Sequence, residues 1–522
     1  MPKILVLPIT LTSTFLHIKK YSELYLLLIL FISTSYLRFQ NLGFSEYCVD
    51  EPGAFLFYGK ETTGESVSEF LLKQRKGPMQ FIVSYLPYLV TGDFQNELAE
   101  RLPFAFFNIA AVILFYFVIK KLTGNKTTAF IAAFLFSFNG FIVAFGRVAQ
   151  YQSLNLFFSL LAVYFYSALI SPNEHHKIRK TMFGTLALSL SVLSHWDVVY
   201  FVPVILTIFI KFLLNREYPK SYKTRIVLYN FILGTLLLAP YLVLYISSYM
   251  GNTDNREYFS SRVSFSSSVE IERDLGRIVL YNPFLMVQVY AIFGFIGIIY
   301  DLLTLFIKKL RTPFSGVFTL WFVVVTLLFL FVIGYPGTHL YNFLIPLMIL
   351  SSLGFYSVIK LFPKWAKVLP IIFCAGVLVF LFHQSERIFV DSVNEYPWQQ
   401  ETIYKYTTQE YSQKDGVVQR NLIGFPHYRK WKEINKFINE ENARRETAIG
   451  YITNDHPTIS QFYMDTQYTE NVPIYYAIGI KEPYTFVTDY KFFGTKGKRT
   501  IYKIVVGDEY KSVIYIVGEA EK

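Results

Sequence analysis

Asp50 and Glu51 stand side by side in Cys48-Val-Asp-Glu-Pro-Gly53, a few residues past the first long apolar run of the chain. A carboxylate held where a chain leaves a bilayer can meet water-soluble acceptors and the head groups of lipid-linked donors at once. Further polar groups recur along the sequence: Arg75-Lys76-Gly77-Pro78, Arg101-Leu102-Pro103, Arg147 and Gln150 in Gly-Arg-Val-Ala-Gln-Tyr-Gln, His195-Trp196-Asp197, and His339-Leu340-Tyr341-Asn342. Taken singly, each has a plain structural reading. Arg and Lys near helix ends snorkel to lipid phosphates, and Pro78 and Pro103 start helices. They gain meaning together only if the elements between them bring them to one side of a membrane.

Composition says that those elements are membrane spans. The 522 residues are 53% hydrophobic and 17% charged, with 52 Phe and 40 Tyr, far more apolar and aromatic than a soluble domain of this size requires. The net charge of +11 does not point to nucleic acid, because from residue 384 onward 18 Lys and Arg face 19 Asp and Glu. The basic excess lies in the apolar part, clustered at Lys19–Lys20, Lys120–Lys126, Lys177–Lys180, Arg216–Arg225, Lys308–Arg311 and Lys360–Lys367. By the positive-inside rule these are cytoplasmic loops. Apolar stretches able to cross roughly 30 Å of hydrocarbon fall at 21–37, 103–119, 128–145, 154–170, 181–195, 199–214, 227–246, 285–306, 316–333, 342–361 and 368–383. Eleven spans place the amino terminus inside and the carboxyl terminus outside, and every polar cluster named above on the external face.

The first sixteen residues lack a small-residue cleavage site and read as a cytoplasmic or interfacial leader. Residues 78–91 are too few for a span and contain Pro87, so they read as an interfacial helix within a long first external loop, 38–101. Two cysteines, Cys48 and Cys374, form no disulfide framework or metal motif. Internal repeats are absent. The expected architecture is an all-α polytopic bundle over 1–383, followed by a small extracytoplasmic α/β domain over 384–522. In the latter, strands are expected at Thr447–Thr453, Val472–Ile480, Thr500–Val506 and Ser512–Val517, and a helix near 427–440. Trp398 and Trp431 could stack on sugars there. The loop 247–284, with Arg256, Arg262, Arg273 and Arg277, reads as external, over the site or against anionic lipid.

The acid pair after the first span, the Lys76-Gly77-Pro78 element in the same loop, Arg101-Leu102-Pro103 opening the next span, and Arg147 followed by Gln150 together resemble the GT-C superfamily. Within it the chain is similar to protein O-mannosyltransferases and to the aminoarabinose transferases of lipid A, over roughly residues 20–385. The second element departs from the family at Gly77, where a first proline is usual.

The resemblance implies a GT-C-type bundle that moves a sugar, with inversion, from a polyprenyl-phosphate donor to an acceptor hydroxyl or similar nucleophile. It implies catalytic roles for Asp50 and Glu51. Asp50 would accept the hydroxyl proton, while Glu51, pointing elsewhere, would orient a cation or bind acceptor. Lys76, Arg101 and Arg147, with His339 and Tyr341, would hold donor phosphate, where a good leaving group needs cationic neutralisation rather than a strong acid. Gln150 and His195 would meet acceptor or sugar. The partners implied are the donor, a lipid, glycan or protein acceptor, and membrane lipids. No cofactor is expected, since one Asp-Glu pair with no adjacent histidine does not make a metal site; a divalent metal is left open. A lipid-linked glycan flippase or a non-catalytic relative is the alternative. A flippase should carry ionisable residues at mid-membrane depth, and here they lie at span ends.

Overall fold

The computed structural model describes residues 11–48, 50–55, 64, 66–171, 174–251, 253–263, 276, 278–282, 285–333, 336–396, 422–445, 449–481, 483, 498–506 and 509–518. Helices occupy the expected apolar stretches, and short helices also lie in the loops expected at 38–101 and 247–284. They are α1 (Leu11–Phe39), α2 (Val67–Lys73), α3 (Pro78–Thr91), α4 (Glu97–Thr123), α5 (Lys126–Phe138), α6 (Gly140–Phe145), α7 (Gln152–Tyr166), α8 (Lys177–Ser194), α9 (Val202–Leu214), α10 (Lys220–Gly251), α11 (Thr253–Arg262), α12 (Leu285–Phe306), α13 (Val317–Phe331), α14 (Tyr341–Leu361) and α15 (Val368–Phe389). Among the described residues, eight are long and apolar enough to cross a membrane, some with a preceding or following 3-10 turn, whereas eleven spans were expected. The other three exist as helices: α5 and α13 are apolar but shorter, and α8 begins with Lys177, Arg179 and Lys180. Outward faces carry exposed apolar side chains such as Ile29, Phe231, Leu236 and Phe373, as hydrocarbon solvent requires.

The expected span 128–145 is two helices. Asn139 breaks it by accepting hydrogen bonds from the Phe141 and Ile142 amides at 3.0 and 3.4 Å, which caps α6. Gly140 lets this corner close. Its N–H donates to Asn282 Oδ1 at 2.7 Å, and a Cβ there would run into the Tyr281 carbonyl.

After the bundle, α16 (Trp431–Asn442) and α17 (Pro457–Tyr463) pack with a five-stranded sheet of β1 (Ile449–Thr453), β2 (Gln467–Tyr468), β3 (Ile474–Ile480), β4 (Lys498–Val506) and β5 (Glu509–Val517). The order is β2-β1-β3-β5-β4, parallel at β1–β2 and β1–β3 and antiparallel at β3–β5 and β5–β4. The strands lie within a few residues of their expected positions. Helix α17 and the two-residue β2 were not expected. Trp398, Arg273, Arg277 and the first two residues of the strand expected at Thr447 lie outside the described residues.

This domain grips the loop after α1. The Glu46 carboxylate accepts the backbone N–H groups of Arg429 at 2.8 Å and Trp431 at 2.6 Å, closing the first turn of α16. Burial pushes the Glu46 carboxyl up to about 8 against the pull of these amides and of the Arg429 charge. Beside it, the Tyr47 N–H donates to the Tyr463 hydroxyl at 2.9 Å, and that hydroxyl donates to Glu97 Oε1 at 2.9 Å.

Candidate active site

Two buried arginines shape the segment that carries Asp50. Arg147 donates to the carbonyls of Leu37 (2.9 Å), Gln40 (2.8 Å) and Asn41 (3.2 Å), groups that α1 leaves unpaired at its carboxyl end. Burial, and then the neighbouring Arg101 charge, push the Arg147 guanidinium down to about 9. Arg101 Nη1 donates to the carbonyls of Leu42 and Ser45, and its Nη2 to that of Glu46, at 2.8–3.0 Å. Through Nε and Nη2 it also grips both oxygens of Glu51, each at 2.8 Å. Glu51 further accepts the N–H groups of Cys48 and Ala149, each at 2.8 Å. Every lone-pair direction of that carboxylate is occupied inside the protein, and Glu51 is fully buried.

Asp50 is only partly buried and lines a cavity of about 670 Å³. Arg75, Lys76 and Arg262 supply cations to the same cavity; Tyr151, Gln152, His195 and His339 form polar wall; Ile246, Val263 and Ile333 are apolar wall. Lys76 is placed by its neighbours. Its ammonium donates to the Asp50 carbonyl at 3.2 Å, and the Gly77 N–H donates to the Ser194 carbonyl at 3.1 Å. A Cβ at Gly77 would run into the Leu193 carbonyl, so the loop reaches the end of α8 only with glycine there. The departure from the family pattern therefore has a local cause: proline offers neither the N–H nor the space.

The wall of His195 and His339 is built around Asp197, which is fully buried. Asp197 Oδ2 accepts from the Tyr341 hydroxyl at 2.8 Å and from the Asn342 amide at 3.4 Å. His339 Nδ1 lies 3.0 Å from Oδ2 and 2.8 Å from Oδ1, and His195 Nδ1 lies 3.0 Å from Oδ1. His195 stacks on Tyr151 with ring centroids 3.6 Å apart.

Of the residues expected at the site, Asp50, Lys76, His195 and His339 line the cavity together; Glu51, Arg101, Arg147, Tyr341 and Gln150 do not. Gln150 is buried one layer behind, its Oε1 accepting from Gln152 Nε2 at 3.0 Å. Tyr341 reaches the wall only through Asp197. Arg262, in the loop expected near the site, does line it. Sequence reasoning missed Thr458, which α17 brings to the cavity from the carboxyl-terminal domain, and no local signal marks that residue.

Residues 67–250 match the family described as dolichyl-phosphate-mannose-protein mannosyltransferase. No curated protein matches the chain in sequence. Among solved structures, ArnT from Cupriavidus metallidurans in the apo state superposes with a TM-score of 0.51 at 10% identity, over 94% of this chain and 98% of that one. The same protein bound to undecaprenyl phosphate gives 0.52 at 11% identity, over 93% and 97%. The Archaeoglobus fulgidus oligosaccharyltransferase in the apo form gives 0.53 at 13% identity, over 81% of this chain and 58% of that one. The expected fold class, a helical membrane bundle with a small carboxyl-terminal sheet domain, is thus borne out, and the chain has the fold of the GT-C membrane glycosyltransferases, with residues 67–250 matching the protein mannosyltransferase family.

Proposed function

We propose that the protein transfers a sugar from a polyprenyl-phosphate donor to an acceptor hydroxyl, with inversion at the anomeric carbon. One observation carries this reading: Asp50 shares a single cavity with Arg75, Lys76, Arg262 and His339, and apolar side chains complete that cavity. The acceptor hydroxyl attacks the anomeric carbon, its proton passes to the Asp50 carboxylate, and the bond from that carbon to the phosphate oxygen breaks. Charge growing on the departing phosphate meets Lys76, Arg75 and Arg262. Ile246, Val263 and Ile333 suit the start of a prenyl chain. Binding of undecaprenyl phosphate by the similar ArnT supports a donor of this class.

In this reading Arg101 and Arg147 are positioning residues rather than phosphate ligands, because their donors are spent on Glu51 and on backbone carbonyls. Glu51 positions Asp50 and does not meet acceptor. The cavity lies on the extracytoplasmic face, with the amino terminus in the cytoplasm, because the basic loops fall on the opposite side. Residues 1–383 form the transferase bundle and 384–522 an extracytoplasmic domain that supplies one wall.

The test is a nanodisc assay with a polyprenyl-phosphate sugar and a cell-envelope extract as acceptor. Covalent product is expected from the unaltered protein, and Asp50→Asn should lower the rate by roughly two or more orders of magnitude. A flippase would move lipid without forming product. Full activity of Asp50→Asn would remove the mechanism.

A further inference from the structure

The wall of the cavity holds a contradiction in its hydrogen bonding. Asp197 Oδ1 is buried and has no hydrogen-bond donor, while its sister oxygen takes the Tyr341 hydroxyl and the Asn342 amide. Oδ1 instead faces two ring nitrogens, Nδ1 of His195 at 3.0 Å and Nδ1 of His339 at 2.8 Å. The His195 nitrogen already acts as an acceptor, taking the Asp197 backbone N–H at 3.2 Å. A carboxylate oxygen and an acceptor nitrogen at this separation present lone pairs to each other. A cation between them relieves that repulsion.

We propose that His195, Asp197 and His339 form a divalent-metal site of the Zn²⁺ type. The three ligand atoms lie within 4.8 Å of one another. Bonds of about 2.0–2.2 Å in tetrahedral geometry separate ligand atoms by roughly 3.3 Å, so a small adjustment of the side chains admits the ion. Two imidazoles and one carboxylate are a zinc-type set. The outer contacts have the form that such sites use. Tyr341 and Asn342 hold the carboxylate through Oδ2, and Tyr151 stacks on His195. Both histidines line the cavity, so a fourth position would face the space in which Asp50 and Lys76 also lie. Three protein ligands with one open position is the pattern of a working ion rather than of a closed structural one. The open position suits a phosphate oxygen of the donor. That role rests on the transferase reading, whereas the binding of the ion does not.

The experiment is metal uptake by the purified full-length protein in detergent, stripped with chelator and dialysed, with no donor or acceptor present. One Zn²⁺ per chain by elemental analysis is expected, together with visible absorption of a tetrahedral complex when Co²⁺ is supplied alone. Asp197→Asn keeps the hydrogen bond to Tyr341, and His339→Gln changes a side chain at the cavity surface. Each should weaken uptake by roughly 100-fold or more, while Asp50→Asn binds as the unaltered protein does. Size-exclusion profiles identify any variant that has not folded. If the unaltered protein takes up no stoichiometric metal, or both variants bind as it does, the site is overturned. Metal bound without any sugar transfer would sink the transferase reading alone. Undiminished transfer by protein shown to be metal-free would sink the proposed role in phosphate binding alone.

Discussion

Arg101 grips both carboxylate oxygens of Glu51, Nε to Oε1 and Nη2 to Oε2, each at 2.8 Å, and the pair is sealed from solvent. The two acids that adjoin in sequence therefore have opposite surroundings. Asp50 is open to the cavity, and Glu51 is locked behind it. Removing one member of a buried ion pair costs about 3–5 kcal/mol. Glu51→Gln should lower thermal stability by that order, whereas Asp50→Asn should stay within about 0.5 kcal/mol. Unfolding followed by intrinsic fluorescence in detergent distinguishes them; equal losses would contradict the division of labour.

Arg147 and Lys76 should separate in the same way. Arg147→Ala leaves the carbonyls of Leu37, Gln40 and Asn41 without their donor, at a cost of about 1–3 kcal/mol. Lys76→Ala loses one bond to the Asp50 carbonyl and should instead raise the apparent KM for donor with little change in stability. A normal melting temperature in Arg147→Ala together with a raised KM would return that arginine to the phosphate.

Gly77 offers a purely steric test. Gly77→Ala pushes a methyl group against the Leu193 carbonyl, an overpacking cost of about 1–3 kcal/mol. Gly77→Pro also removes the N–H that bonds Ser194. Both should impair transfer by moving Lys76. Gly376→Ala, where a Cβ meets nothing within 4 Å, serves as the control.

A pH dependence follows from Glu46. Its carboxyl is raised from 4.5 to about 8 in the folded protein, chiefly by burial. The unfolded chain releases this proton first, so the stability it contributes is complete below about 4.5 and lost as pH rises through about 8. Melting temperature should fall across that window, and Glu46→Gln should flatten the fall. An unchanged slope in the variant would place the titration elsewhere.

Sidedness can be read by thiol labelling, since Cys48 and Cys374 are both buried. Cysteines at the exposed Thr253 and Asn471 should react with an impermeant reagent in intact cells, and one at exposed Glu217 should not. Reaction at Glu217 alone would invert the topology.

Much of the bundle was legible because apolar runs in a membrane protein have few alternatives to helix. The break at Asn139 was not, since one polar residue in a long apolar run does not reveal that it caps a helix. Arg101 and Arg147 were legible as important but not in role: a guanidinium facing backbone carbonyls leaves the same letter as one facing phosphate. Asp197 drew little notice because its partners lie 142 and 144 residues away, and only the folded chain brings them together.

The clasp at Glu46 also fixes an order of events. Its partner Trp431 lies 385 residues downstream, and Tyr463, which takes the Tyr47 N–H, lies 416 residues beyond Tyr47. A ribosome must therefore deliver the whole bundle before the first loop can find either of them. Until Thr458 emerges, the cavity already has Asp50 and its cations but lacks a wall. A chain cut short before Thr458 would keep the charged groups at the cavity and still lack that residue. Completion of the pocket is thereby tied to synthesis of the segment that carries Thr458.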